Sequence, residues 1–177
     1  MKNLIIICFA GVNTNGILTR EELRRIKRVN DDLRKGILSK FIRQKNTTIY
    51  CGNNEEEDPV LRETLNILNP KNPFSVGEKT SFIIRKIDFL SRRNSGRSAS
   101  KQSYFVNEHL KRVYFSQKIL QPEIVLMSET GMKAVLSHLT NGPGYSCPED
   151  FLAKEIPVGT VVNIRIPQKK IEAILID

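Results

Sequence analysis

The apolar run Leu4-Ile5-Ile6-Ile7-Cys8 near the start of the chain is rich in β-branched residues, and it is closed by Gly11 and the asparagine-rich stretch VNTNG. Apolar residues follow one another here instead of alternating with polar ones. That pattern belongs to a strand buried on both faces, as in parallel sheets covered by helices. The run is far shorter than the roughly 20 apolar residues that cross a bilayer. No small-residue cleavage site follows, and Asn13, Asn15 and Gly16 read as a loop, so a buried strand is expected and not a signal peptide.

The rest of the chain alternates strand and helix signals. Thr19 and Glu22 form a capping box, and Leu23, Ile26, Leu33, Ile37 and Phe41 keep helical spacing, with Gly36 placed to bend or end the helix. TTIYC (47–51) reads as a second strand. Asp58 before Pro59 supplies an N-cap and a proline at the first helical position for a short helix over 59–68. NPKNPFSVG (69–77) reads as a loop. Ile83, Ile87 and Leu90 predict one helix and Val106, Leu110 and Val113 another, separated by the basic, serine-rich SRRNSGRSASKQS (91–103), read as a flexible segment. EIVLM (123–127) predicts a third buried strand. A loop, Ser128 to Gly131, then leads into a helix through Met132, Val135, Leu136 and Leu139. Two further strands, 160–166 and 171–176, are joined as a hairpin across Pro167 to Lys170.

This order predicts one α/β domain over 1–177: a three-layer sandwich with a mostly parallel central sheet, helices on both faces and an antiparallel edge. A chain of 177 residues is long enough for one sizeable core and short for two. In such sheets ligands sit beyond the carboxyl ends of the strands, which directs attention to residues 9–16, 52–58, 74–79 and 128–131.

Cys8, Cys51 and Cys147 are odd in number and widely spaced, which excludes a disulfide framework or zinc knuckle and fits a reducing, cytoplasmic setting. His109 and His138 lack a partner at ligand spacing and read as helix-surface residues. No metal and no cofactor are expected, and no membrane partner. A net charge of +9 makes an anionic partner or an acidic protein surface plausible. RNA is the specific case, through Arg92, Arg93, Arg97 and Lys101 followed by Tyr104 and Phe105.

Five stretches in order resemble the histidine phosphatase superfamily, the phosphoglycerate mutase-like fold, over nearly the whole chain. LIIICFAGVNTNGILTREELRRIKRV is similar to that family's opening strand, Arg-His-Gly loop and first helix, and IYCGNNEEEDPVLRETLNIL to its second strand, loop and helix. Gly77-Glu78 falls where many members carry Gly-Glu-Ser. EIVLMSETGMKAVLSHL resembles the strand and helix around the second histidine, and IPVGTVVNIRI a strand near the family's end.

The resemblance implies a phosphoryl-accepting histidine, with two arginines and a second histidine binding the transferred group. Those four roles fall on Phe9 for the acceptor, on Cys8 and near Glu56 for the arginines, and on Glu129 for the second histidine. Phenylalanine cannot form a phosphoenzyme, because covalent catalysis needs a nucleophile. Two glutamates in place of an arginine and a histidine are expected to repel an anion, at about 1 to 3 kcal/mol for like charges some 6 Å apart. Asn13, Glu78, Ser128, Thr130 and Gly131 remain as candidates to line the cleft.

The leading expectation is therefore a degenerate member, a pseudophosphatase that binds or scaffolds. The alternatives are an enzyme of altered chemistry working in the same cleft through Glu56, Glu129 and Cys8, and a basic RNA-associated protein. No phosphate loop, dinucleotide fingerprint, H-E-x-x-H or G-x-S-x-G motif supports a different enzyme class.

Overall fold

The structure, a computed structural model, describes residues 2–11, 16–41, 47–54, 56–68, 82–91, 99–116 and 123–174. Among these residues, six strands form one sheet: β1 (Asn3–Ala10), β2 (Thr48–Cys51), β3 (Ile83–Lys86), β4 (Glu123–Ser128), β5 (Val161–Arg165) and β6 (Lys170–Ile174). Their order across the sheet is β3-β2-β4-β1-β5-β6. β3, β2, β4 and β1 are parallel, while β5 runs antiparallel to β1 and β6 antiparallel to β5. The mixed α/β sheet with its antiparallel edge is the architecture that the strand and helix signals predict.

Among the described residues, four α-helices cover it: α1 (Arg20–Lys35), α2 (Pro59–Leu68), α3 (Ala99–Phe115) and α4 (Glu129–Asn141). Side chains alternate across β1. Ile5, Ile7 and Phe9 join a core with Ile26, Val29 and Leu33 of α1 and Val60 and Leu61 of α2. Leu4, Ile6 and Cys8 join the opposite core with Val106 and Leu110 of α3 and Met132 and Val135 of α4. Burial on both faces is what the uninterrupted apolar run requires.

Local signals set several boundaries. Glu22 N donates to Thr19 Oγ1 and Thr19 N to Glu22 Oε2, closing the capping box. Asp58 Oδ1 accepts from Val60 N at 3.1 Å, starting α2 at Pro59. α1 stops at Gly36, where Asp32 folds back to accept from Leu38 N at 2.8 Å. A Cβ on Gly36 would collide with the Asp32 carboxylate. The single long helix expected through Phe41 thus becomes α1 plus a 3-10 turn at Ile37–Lys40.

Two expectations are corrected. The helix predicted from Ile83, Ile87 and Leu90 is instead strand β3 followed by a 3-10 turn at Asp88–Leu90. Ile83 and Ile84 are β-branched, and β2 offers them a backbone ladder, with Thr48 paired to Ile83. The segment 91–103 is not loop throughout, since α3 begins at Ala99 and carries Lys101.

Candidate functional site

At the carboxyl end of β1 the pairing with β4 shifts: Cys8 faces Met127, and Ala10 faces Ser128, leaving Phe9 as an extra residue. A bulge of this kind re-aims side chains, and here both Phe9 and Ala10 turn into the core shared with α1 and α2, each 0% exposed. The Phe9 ring is packing material, with no face to solvent.

Cys8 points the other way, also at 0% exposure, with Sγ 3.6 Å from Ala10 O. Burial pushes its thiol up to about 12, helped by the neighbouring Glu129 charge. A thiol held protonated in this way is a core residue and a poor nucleophile.

Ser128 caps α4, its Oγ accepting from Gly131 N, so Glu129, Thr130 and Gly131 form the first helical turn where a loop was expected. Thr130 is exposed. A Cβ on Gly131 would press on Gln102 Oε1 of α3, so a glycine suits the close approach of the two helices there. Glu129 is 1% exposed. Its Oε1 accepts from Ile156 N at 2.8 Å and forms an ion pair with Lys133 Nζ at 3.1 Å. A carboxylate in the first turn of a helix is also favoured by the helix dipole. The expected repulsion is therefore answered locally: Glu129 ties α4 to the segment ahead of β5. That segment closes over β1 through Gly159 N to Cys8 O (2.8 Å) and Cys8 N to Thr160 O (2.9 Å). Gly159 has φ +86, and a Cβ there would lie 2.7 Å from Arg25 Cβ.

Glu56 stands exposed in the turn before α2, so it does not share the buried setting of Glu129 and Cys8. Asn13, Glu78, Arg92, Arg93 and Arg97 lie outside the described residues. Among the described residues, no three His, Cys, Asp or Glu side chains gather as a cation site. No described helix is long and apolar enough to cross a membrane, and the three cysteines are free.

The residues that sequence reasoning missed lie along α3. His109 is buried, at 6% exposure, and not a surface residue: its Nδ1 is 2.7 Å from Glu123 Oε2 at the start of β4. Tyr50 Oη donates to Glu123 Oε1 at 2.9 Å, and Arg112 Nη2 approaches the same oxygen at 3.5 Å. Burial, then the Arg112 charge, lowers the His109 pKa to about 4, and burial raises that of Glu123. Beside this cluster an open cleft of about 680 Å³ is lined by Tyr50, Phe89, Tyr104, Phe105, Lys101 and Arg112, among others.

No protein-family profile matches the sequence, and no curated protein does. Solved structures do match. A mycobacterial glucosyl-3-phosphoglycerate phosphatase in complex with VO3 aligns with TM-score 0.56 at 11% identity, over 93% of each chain. A candidate phosphohistidine phosphatase SixA from Nakamurella multipartitia aligns with TM-score 0.52 at 14% identity, over 99% of this chain and 95% of the other. The chain has the histidine phosphatase fold. A histidine-to-alanine mutant of Entamoeba histolytica phosphoserine phosphatase, in complex with phosphoserine, extends the same likeness with TM-score 0.51 at 11% identity, over 98% and 95% of the two chains. At such identities the likeness is one of fold. On the histidine phosphatase fold, the end of β1 and the start of α4 are here built from Cys8, Phe9 and Glu129.

Proposed function

We infer that this protein is a catalytically silent derivative of the histidine phosphatase fold, one domain over 1–177 that acts by binding and not by turnover. The observation that carries the reading is Phe9, fully buried at the position that resembles the phosphoryl acceptor. A ring without a lone pair gives phosphorus nothing to bond to. Two further observations support it. Glu129, at the position that resembles the second histidine's, already accepts from Ile156 N and is ion-paired with Lys133, and the Cys8 thiol is pushed too high to serve as a substitute nucleophile. The same facts weigh against an altered chemistry through Glu56, Glu129 and Cys8.

The test is a generic phosphomonoester assay, p-nitrophenyl phosphate with the purified chain, paired with calorimetric titration of vanadate. No phosphate release above buffer and no vanadate heat are expected. Turnover that disappears in Glu129→Gln while thermal unfolding stays intact sinks the reading.

A further inference from the structure

α1 carries two unlike faces. Ile26, Val29 and Leu33 are buried against the sheet. At 3.6 residues per turn, Arg20, Arg24, Lys27, Arg28, Asp31 and Lys35 fall on the opposite side of the axis, within a sector of about 100° and over about 22 Å of helix rise. All six are exposed, and all but Asp31 are cations. Glu21, at the edge of the row, is ion-paired with Arg24 at 2.8 Å.

Local stability alone does not account for this row. A solvated helix face gains from opposite charges three or four residues apart, whereas Arg20 with Arg24 and Arg24 with Arg28 set like charges four apart. Arg20 also stands in the first turn, where the helix dipole disfavours a cation. Arg20, Lys27 and Arg28 form no ion pair among the described residues. Mutual repulsion along such a line is relieved when an anionic surface lies against it.

Two features choose among the polyanions that a basic row can meet. Ile17, 76% exposed, stands two residues before the N-cap Thr19, and Ile37, 58% exposed, follows Gly36, so an apolar side chain flanks the row at each end. Such groups find nothing to pack on along a phosphate backbone, but they gain area at the acyl boundary of a bilayer. The exposed aromatics Tyr104, Tyr114 and Phe115, on which unpaired bases would stack, belong to α3 on the other face of the sheet. We propose that the outer face of α1 docks the protein on an anionic phospholipid surface, its arginines and lysines against the headgroups and Ile17 and Ile37 set into the interface at either end. The expectation of no membrane partner follows from the lack of a run long enough to cross a bilayer; lying against one needs no such run. The contact uses no residue of the β1 end, so it stands whether or not the protein turns phosphoesters over.

The experiment is co-sedimentation of the full chain with vesicles of phosphatidylcholine, alone or with phosphatidylglycerol added, at low and high salt, with duplex and single-stranded RNA titrated in parallel. Binding is expected only where phosphatidylglycerol is present, and it fades as salt screens the headgroups. Lys27→Glu combined with Arg28→Glu is expected to weaken partition at least roughly tenfold, since each cation near an anionic leaflet contributes about 5-fold. Ile17→Ser combined with Ile37→Ser is expected to weaken it about 3- to 10-fold and to leave the salt dependence in place. Lys101→Glu combined with Lys111→Glu makes the same change in net charge on α3 and is expected to leave partition within about twofold of wild type. All these positions are exposed, so the variants should melt as the wild type does. If the α1 reversal melts early, Lys27→Gln with Arg28→Gln, which keeps helix-forming side chains, takes its place with a loss of the same order. Equal pelleting with pure phosphatidylcholine, or none with either vesicle, overturns the proposal. Wild-type partition in the α1 charge variant or in the isoleucine variant overturns it too. An equal loss from the α3 reversal would make net charge the cause and sink the α1 face, and binding to RNA without affinity for vesicles would replace the lipid with a nucleic acid.

Discussion

The carboxyl end of β1 and the flank of α3 stand on the same sheet and are built on opposite terms. At β1, Phe9 and Ala10 are packed into the core and Glu129 is committed to Ile156 and Lys133, so these groups are spent on holding the fold. Along α3, Tyr104 and Lys101 are exposed and line an open cleft. In a single fold, groups used for packing and groups left at the surface are separated by where the side chains point. Substitutions at the first region should therefore cost stability, whereas truncation of exposed Tyr104 or Lys101 in the second should leave stability nearly unchanged.

The contrast is broken most directly at Phe9. Phe9→Ala leaves a cavity under α1 and α2 and should cost about 3 to 5 kcal/mol in urea denaturation; a loss below 1 kcal/mol would mean that the ring is not core. The next effect tests whether His109 is buried neutral. Its folded pKa, about 4, lies below the ordinary 6.5, so the unfolded chain binds the extra proton between these values. The stability that neutral His109 contributes is thus complete above pH 6.5 and is lost as pH falls toward 4. Raised Glu123 acts in the opposite sense, which makes the difference between wild type and His109→Gln the cleaner readout. That difference should shrink by about 2 kcal/mol from pH 7 to pH 5, and a flat difference would place the ring in solvent. Glu129→Gln keeps an acceptor for Ile156 N and loses the charge facing Lys133, so a smaller cost of about 1 kcal/mol is expected, seen as a lower urea midpoint. Lys101→Ala should move the unfolding free energy by less than about 0.5 kcal/mol. A larger loss would make Lys101 a structural residue and blur the contrast between the two regions.

The framework of the fold was legible because its signals are local. The run from Leu4 to Cys8, the Thr19–Glu22 box and the Asp58–Pro59 start of α2 each act within a few residues, and each sits where the sequence places it. β3 was misread because Ile83 and Ile87 fit a helical period as well as a short strand, and only the neighbouring β2 decides between them. The chemistry of Phe9 and Glu129 as single residues was legible, since a phenylalanine is no nucleophile anywhere. Their surroundings were not: the partners of Glu129 include Ile156, 27 residues along the chain. The cluster on α3 was more hidden still. Tyr50 and Glu123 are 73 residues apart, and His109 resembles a surface histidine until β4 brings Glu123 beside it.

Among the described residues β3 is the outermost strand of the sheet at one side, four residues long, with Ile83 43% exposed. An edge strand invites another chain to add a strand and start an aggregate. Arg85 and Lys86, both exposed, follow within that short stretch. Copies meeting rim to rim would bring like charges together, so this border guards the protein against polymerising through its own sheet.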